Sequence, residues 1–363
     1  MTIFIILLYN ISMDQELFLK MINAAIKGEY LDLSTIDEDF IRVAKEQTFQ
    51  PMLYSVTKNR KYKSYYIQAS LIHDRFMEVG KLVDKVLTEA SIPHIFIKGY
   101  DLQRLYPDPI LRMMGDIDVL VDEEYKNQSY KIFIEKGFIY HNSSEHDNTF
   151  MHKGIEVEVH FSLCNKTNDN KNYFNKKIKD FSNEYYFLYL INHYAKHFKS
   201  GAGLREVIDF YLLLKNNTYD YNIIISQVKV LGYLNFLYVI LNEIELIFGE
   251  VFIPYERIYD VKKIINFSLK SGIHGFGERS NHQSTILSSN NKCKKFTSLV
   301  KIVFIPRKKL QFIYPWAKFI LLIPFAYFVR FLYLIFKKHK KLIAYVKTTR
   351  NEEEYEMFNS IFK

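Results

Sequence analysis

The spacing of hydrophobic and polar positions changes twice along the chain. Residues 14–90 carry apolar side chains three and four positions apart, as in "LIHDRFMEVGKLVDKVLTEA", which predicts amphipathic helices. Between residues 93 and 163 the apolar runs are shorter, and two of them alternate with polar residues as strands do. Helical spacing returns after Asn165. This order predicts an α+β protein with a small mixed sheet, flanked by N-terminal helices and a larger helical C-terminal region.

The central segment divides into four extended runs and two helices. Pro93 opens a short apolar strand, "DLQRLYPDP" forms a short helical turn, and "GDIDVLV" is the second strand. A helix follows that Gly137 terminates. The last two extended runs are "FIYHN" and "GIEVEVHFSL". We therefore expect helices and strands to be interleaved in this part of the chain.

Two acids interrupt the second strand. Successive side chains of a strand point to opposite faces, so Asp116 and Asp118 share one face while Ile117, Val119 and Val121 take the other. Neighbouring carboxylates repel and lose hydration when a strand is packed, so they need a cation, a shared proton or a basic partner. A divalent metal is the first candidate. The alternative is an edge strand with both aspartates in water.

A second strand repeats this pattern. In "GIEVEVHFSL" the alternation places Glu156, Glu158 and His160 on one face. Two strands of one small sheet, each with acids on one face, can bring three carboxylates together around a metal. The recurrence favours the metal over the edge-strand alternative.

Basic residues accompany the first acidic strand. "FIKGYDL" turns from strand to helix at Gly99, a geometry that lets backbone N–H groups approach a phosphate, and Lys98 supplies a nearby cation. A glycine at such a place is, taken alone, more often only a turn residue. Arg112, four residues before Asp116, is a candidate phosphate clamp, and the alternative for it is a surface salt bridge.

The order of glycine turn, short helix, D-x-D strand and later acidic strand resembles the DNA polymerase β-type nucleotidyltransferase superfamily, most closely its bacterial branch of uncharacterised nucleotidyltransferases. The resemblance rests on "IFIKGYDLQRLYPDPILRMMGDIDVLV", "IEVEVHFSL" and "YLINHYAKHF…LREVIDFYLLL", within residues 70–215. It implies a nucleotidyltransferase core in the sheet, a nucleoside triphosphate substrate with ATP favoured, and Mg²⁺ or Mn²⁺ as cofactor.

The resemblance also implies roles for individual residues. Gly99 would contact the nucleotide phosphates, Asp116 and Asp118 would hold the catalytic metal, and Glu158 would bridge the metal and the acceptor hydroxyl. Tyr100 stands where many members have Ser, which leaves one phosphate contact unassigned unless the preceding lysine replaces it. Most members have Asp where this chain has Glu158, which still ligates metal but reaches one methylene further.

Four polar residues of the later helices are further candidates. His193 and His197 lie four positions apart on one helix, and Arg205 and Asp209 do so on the next. Zinc binding by the histidines would need a third ligand and a dry site. A network in which Asp209 orients a histidine or Arg205 beside the catalytic sheet is favoured, and a role in binding nucleotide or acceptor is the intermediate alternative. His160 is expected to support the carboxylates in the same way.

The positive charge of the chain is local. The net charge is +9, yet residues 292–350 contain 15 Lys and Arg and no acid, which leaves −6 on the remainder. This distribution gives no strong nucleic-acid signal and indicates that residues 301–347 face anionic lipid or another acidic surface. The unknown acceptor and a nucleoside triphosphate are the other expected partners.

One apolar run lies inside this basic segment. Between residues 319 and 336 Arg330 is the only charged residue, so the run is expected to be buried in protein or in lipid. Pro324 and Arg330 disfavour a spanning helix. A kinked helix in the membrane interface is favoured over a core helix, with these side chains near the lipid headgroups: Trp316, Tyr327, Lys337, Lys338, Lys340 and Lys341.

Four segments are expected: an N-terminal helical segment (1–70), a nucleotidyltransferase core (71–164), a helical domain (165–290) and a basic apolar tail (291–363). Residues 1–12 lack a leading positive charge and a cleavage site, so Met13 is the expected natural start, with a membrane-touching anchor as the alternative. Two distant cysteines fit a reducing compartment. We expect a cytoplasmic protein, peripheral at the inner face of the membrane.

The function that these features predict is Mg-dependent transfer of a nucleoside monophosphate to an acceptor hydroxyl. The sequence leaves the acceptor open: a sugar, an antibiotic, a lipid-linked or envelope glycan precursor, a protein hydroxyl and an RNA end are all compatible with it. The alternative is a catalytically inactive nucleotidyltransferase-fold scaffold docked at the membrane surface. The complete set of three carboxylates argues against that alternative.

Overall fold

The computed structural model describes residues 13–164, 170, 172–273, 300, 304–305, 307–337 and 352–362. The expectations for residues 1–12 lie outside the described residues, and so does the part of the basic tail that contains Lys338, Lys340 and Lys341.

The chain begins with helices whose apolar positions follow the predicted spacing. In chain order they are α1 (Gln15–Lys27), α2 (Glu38–Glu46), α3 (Gln50–Thr57) and α4 (Lys63–Glu89). Asp14 caps α1 by accepting a hydrogen bond from the Leu17 N–H, and Gly28 ends it in a left-handed conformation. Helix α4 buries Phe76, Val79 and Val83 along one side. The long helix therefore offers a continuous apolar face to the sheet.

A five-stranded mixed sheet follows α4. Its strands are β1 (His94–Ile97), β2 (Asp116–Val121), β3 (Ile139–Ser143), β4 (Asp147–His152) and β5 (Ile155–His160). Their spatial order is β1-β2-β5-β4-β3, and β2 and β5 are parallel while the other pairs are antiparallel. Because β2 is hydrogen-bonded on both sides, its aspartates are not on an edge strand. The edge-strand alternative is wrong.

The two faces of the sheet pack against different cores. Ile117, Val119 and Val157 lie in a core that includes residues of α4 and of α6 (Lys126–Glu135). Leu120, on the opposite face of β2, belongs to the larger core of the surrounding helices. The polar face that carries Asp118 therefore looks toward the helical part of the molecule.

Helices dominate the chain after the sheet. They are α7 (Asn183–Phe198), α8 (Arg205–Asn216), α9 (Tyr221–Val230), α10 (Leu234–Phe248) and α11 (Val261–Ser271), with the five-residue α5 (Lys98–Leu102) earlier, between β1 and β2. The N-terminal helices share a core with them. Gln47 is fully buried between α2 and α11, where its Nε2 donates to the Ser268 carbonyl at 2.8 Å and its Oε1 accepts from the Leu204 N–H at 2.9 Å. The predicted α+β fold class is confirmed.

In the described part of the C-terminal tail there are three further helices: α12 (Arg307–Ile313), α13 (Ile323–Lys337) and α14 (Glu352–Ile361). Pro324 lies in the first turn of α13, where its missing N–H costs little, so it does not interrupt a longer helix as the sequence suggested. Several large side chains of this region are exposed, with Leu321 at 89%, Phe325 at 57% and Phe336 at 72%. The described part of the segment is therefore not a core helix. Among the described residues, no helix has the length and apolar character needed to cross a membrane.

Candidate active site

The parallel pairing of β2 with β5 brings the predicted acids together. Asp118 lies beside Glu158, and Asp116 beside Glu156. The Asp118 side chain is almost completely buried, whereas Asp116 and Glu158 are partly exposed. All four acids belong to the sheet face opposite the α4 core, because side chains alternate between the two faces along both strands.

Two basic side chains contact Asp118. Lys98 Nζ lies 2.5 Å from Asp118 Oδ1, and His160 Nε2 lies 2.7 Å from the same oxygen. Burial alone would raise the pKa of Asp118, but the Lys98 charge and the His160 hydrogen bond outweigh it and hold that pKa well below its usual range. Burial lowers the pKa of His160, yet its hydrogen bonds to Asp118 and Glu158 leave it raised. The Asp118 carboxylate is thus stabilised in its ionised form by the Lys98 charge and by the hydrogen bond from His160.

Asp116 has a different environment. Burial, followed by the negative charge of Asp118, raises the pKa of Asp116 to about 6, although Lys98 acts in the opposite direction. The carboxyl groups of Asp116 and Asp118 therefore differ in proton affinity despite lying two residues apart on one strand. A positive charge placed between them would favour the ionised form of both.

The turn before α5 places the lysine. Lys98, not Gly99, has the left-handed conformation, with φ of 53°, and its backbone N–H donates to the Tyr186 hydroxyl at 2.8 Å. Since Ile97 pairs with Asp118 in the sheet, the next residue is within reach of that carboxylate. Gly99 has another reason to lack a side chain, because a Cβ there would lie 2.9 Å from Nη1 of Arg112. Close packing of the arginine thus accounts for the glycine.

Arg112 forms a buried ion pair. Its Nε and Nη2 donate to the two carboxylate oxygens of Asp209 at 2.9 and 2.7 Å, and the Tyr106 hydroxyl donates to the same carboxylate at 2.8 Å. Arg112 thus does form a salt bridge, but the pair is buried, so the alternative of a surface salt bridge is wrong. The partner predicted for Asp209 also differs, since Asp209 binds Arg112 and Tyr106 rather than a histidine or Arg205.

A cavity of about 760 Å³ lies between the polar face of the sheet and helices α7 and α8. Its lining includes Lys98, Gly99, Arg112, Asp116, Asp118, Glu158, His160, His193, His197, Arg205 and Asp209. Tyr100 is not part of it: its ring packs on Phe96, with 4.4 Å between centroids, and against Gly80 of α4. The structure thus gathers the predicted site residues around one space, except Tyr100.

The helix wall of the cavity carries neutral imidazoles and cations. The rings of His193 and His197 lie 4.4 Å apart, and burial lowers the pKa of His197 to about 4 and that of His193 well below its usual value. Arg205 donates from Nη1 to the Met113 carbonyl at 3.3 Å, and its Nε is buried with no hydrogen-bond partner among the described residues. The histidines therefore offer hydrogen bonds rather than charge.

Two groups of side chains in the described residues have ligand atoms within 4.8 Å of one another and are candidates for holding a metal ion: Asp118 with Glu158 and His160, and His146 with Asp147 and His160. Asp116 lies on the same face but outside both groups. His193 and His197 also belong to neither. Sequence reasoning missed His146 and Asp147, because "SSEHDNTF" has no apolar alternation and resembles a loop.

The fold and the cavity define a class: an α+β protein whose mixed sheet presents carboxylates to a cavity with basic residues on its opposite wall. The chain matches the family model described as "Uncharacterised nucleotidyltransferase" over residues 36–249, more than half of its 363 residues, and belongs to that family. The family prediction is thereby confirmed, while the wider polymerase β-type superfamily and the bacterial branch stay predictions. Neither the curated proteins nor the solved structures contain a significant match.

Proposed function

We propose that this protein is a Mg-dependent nucleotidyltransferase that moves a nucleoside monophosphate from a nucleoside triphosphate, ATP being favoured, to the hydroxyl group of an acceptor. The observation that carries the proposal is the meeting of Asp116, Asp118 and Glu158 at one cavity in a chain of the nucleotidyltransferase family. A sugar or an envelope glycan precursor is the acceptor class that we favour.

The donor types suit the metal, with Asp118 and Glu158 in one group of neighbouring ligand atoms and Asp116 on the same cavity wall. Asp116, Asp118 and Glu158 offer carboxylate oxygens, which Mg²⁺ and Mn²⁺ prefer, and the raised pKa of Asp116 marks a place where a further positive charge is favourable. When bound, the metal supplies charge neutralisation at the α-phosphate and at the departing pyrophosphate. These three residues would hold it.

Side chains of the protein carry out the remaining steps. Glu158, partly exposed to the cavity, takes the proton of the acceptor hydroxyl as that oxygen attacks the α-phosphorus. Lys98 and Arg205 line the cavity and supply positive charge to the phosphates. His160 and Lys98 keep Asp118 ionised and oriented. The family resemblance implies that Gly99 contacts the nucleotide phosphates, and its packing against Arg112 is compatible with that contact.

A peripheral location at an anionic membrane, from the cytoplasmic side, completes the proposal. The exposed side chains of Leu321, Phe325 and Phe336 supply apolar surface, and the surrounding segment contains 15 Lys and Arg without an acid. Flotation with anionic vesicles at low and at high salt tests this: binding at low salt supports it, and no binding at low salt removes it.

The activity test uses each α-labelled triphosphate with Mg²⁺ and a panel of sugars, glycan precursors and cell extract. Transfer of label is expected for the wild type and is expected to be lost in Asp116→Asn and Asp118→Asn, and lowered about 100-fold or more in Glu158→Gln. Glu156→Gln is the matched control, since Glu156 lies on the same strand face but does not line the cavity.

The alternative scaffold makes a different prediction. A catalytically inactive member should show no label transfer and no Mg²⁺-dependent protection by nucleotide in a thermal melt. Transfer that persists at wild-type rate in Asp118→Asn would remove the proposed site even if the protein is an enzyme.

A further inference from the structure

The turn between β3 and β4 brings a second donor set to the cavity. His146, Asp147 and His160 have ligand atoms within 4.8 Å of one another, and the proposed transfer reaction uses neither His146 nor Asp147. Nε2 of His146 lies 3.1 Å from Oδ2 of Asp147. With metal–ligand bonds of about 2.1 Å, two ligands lie about 3.0 Å apart at a right angle and about 3.4 Å apart at the tetrahedral angle. The observed separation falls between these values.

Backbone pairing holds the donors in place. Asp147 is the first residue of β4 and lies opposite His160 in the antiparallel β4–β5 pair. The Phe161 N–H donates to the His146 carbonyl at 2.7 Å, and the Ser144 N–H donates to the Asp147 carbonyl at 3.0 Å. His146 and Asp147 are therefore both held against β5, the strand that carries His160.

A hydroxyl group orients the two side chains. Oγ of Ser144 lies 2.8 Å from Nδ1 of His146 and donates to Oδ2 of Asp147 at 2.6 Å. Since Nδ1 is engaged by the hydroxyl, Nε2 is the nitrogen left to bind a metal. Metal-binding histidines generally have such a partner on their other ring nitrogen.

We propose that His146, Asp147 and His160 form a second cation site, which takes a divalent transition metal of the Zn²⁺ type. Two imidazoles and one carboxylate suit such an ion better than Mg²⁺, which prefers oxygen ligands only. Three protein ligands leave one position open, and because all three residues line the cavity, that position faces it. His160 also contacts Asp118, so the new site adjoins the three-carboxylate site. This inference does not rest on the proposed function.

The test measures metal binding directly on the full chain, stripped of metal with a chelator. Co²⁺ is titrated and followed by its visible absorption, and Zn²⁺ affinity is measured by competition with a chromophoric chelator. His146→Ala and Asp147→Asn are expected to lower the affinity at least about 10-fold, and Ser144→Ala about 10-fold through loss of orientation. His141→Ala is the control, since His141 is exposed on the neighbouring strand β3.

Each outcome decides the inference. It is overturned if the wild type binds neither ion at micromolar concentration, if His146→Ala and Ser144→Ala bind as the wild type does, or if His141→Ala weakens binding as much as His146→Ala. Metal-free thermal melts identify variants that fail to fold, and then Ser144→Ala, which removes only a hydroxyl, is decisive. Mg²⁺-dependent nucleotide protection is recorded on the same samples. Nucleotide protection without Co²⁺ binding would overturn this site and leave the transferase proposal standing. Co²⁺ binding without nucleotide protection would support this site and count against the transferase proposal.

Discussion

Glu243 is an acid buried in the helical core. It lies on α10 with no exposed surface, and neither of its carboxylate oxygens has a hydrogen-bond partner among the described residues. Burial raises the pKa of Glu243 from 4.5 to about 8. At neutral pH the folded protein therefore holds a proton on this side chain that the unfolded chain releases.

The sign of the resulting pH dependence follows from this proton. The folded state binds more protons than the unfolded state between pH 4.5 and 8, so the Glu243 contribution to the free energy of unfolding falls as pH rises through this window. Each pH unit is equivalent to about 1.4 kcal/mol, so a rise from pH 5 to 7.5 costs the wild type about 3 kcal/mol at this residue. Glu243→Gln keeps the shape of the side chain and cannot ionise, so it should not show this loss.

Urea unfolding at pH 5 and at pH 7.5 measures the difference. The gain in stability of Glu243→Gln over the wild type should be about 3 kcal/mol larger at pH 7.5 than at pH 5. Glu135→Gln, an exposed position of α6, is the control and should show no such change. If Glu243→Gln and the wild type lost the same stability between the two pH values, the side chain would not be a neutral acid in the fold, and the reasoning would be refuted.

Two further predictions concern the charged groups around the cavity. Asp209→Ala should lower the free energy of unfolding by about 3 to 5 kcal/mol in urea, because it leaves the buried Arg112 guanidinium without its carboxylate, whereas Arg104→Ala, which removes an exposed ion pair, should cost less than about 1 kcal/mol. Similar losses for both would contradict this. In metal-free thermal melts Asp118→Asn should lower the melting temperature, because Lys98 and His160 lose the carboxylate that they contact, while Asp116→Asn should raise it, because one of two repelling carboxyls is removed. If both variants shifted the melting temperature equally and in the same direction, the two aspartates would not differ in their electrostatic environment as described.

The sequence predicted the acidic face because its cause is local. The period of two in a strand is independent of distant residues, so Asp116 and Asp118 could be assigned to one side from seven letters of sequence. Glu158 lies beside Asp118 because of the register between two strands 40 positions apart in the chain. The repeated acidic pattern suggested that the two strands meet, but it could not fix their register.

The remaining features depend on contacts that a single sequence does not display. Strand β4 was not predicted, because Asp147, Asn148 and Thr149 are polar yet buried, so its pattern lacks apolar alternation. The partner of Arg112 lies 97 residues further along the chain, and nothing near either residue marks the pair. A helix was predicted in the apolar run that contains α13, but the exposure of its apolar side chains is a property of the whole fold.

The buried amide of Gln47 bears on how the chain folds as it is synthesised. Its partners are the backbone groups of Leu204, Ser268 and Leu269, which leave the ribosome long after α2 does. Until then the apolar faces of the first helices lack the surface against which they pack, so this part of the nascent chain should depend on chaperones that shield apolar helices. Release of a chain that ends before Leu269 should leave those helices open to proteolysis.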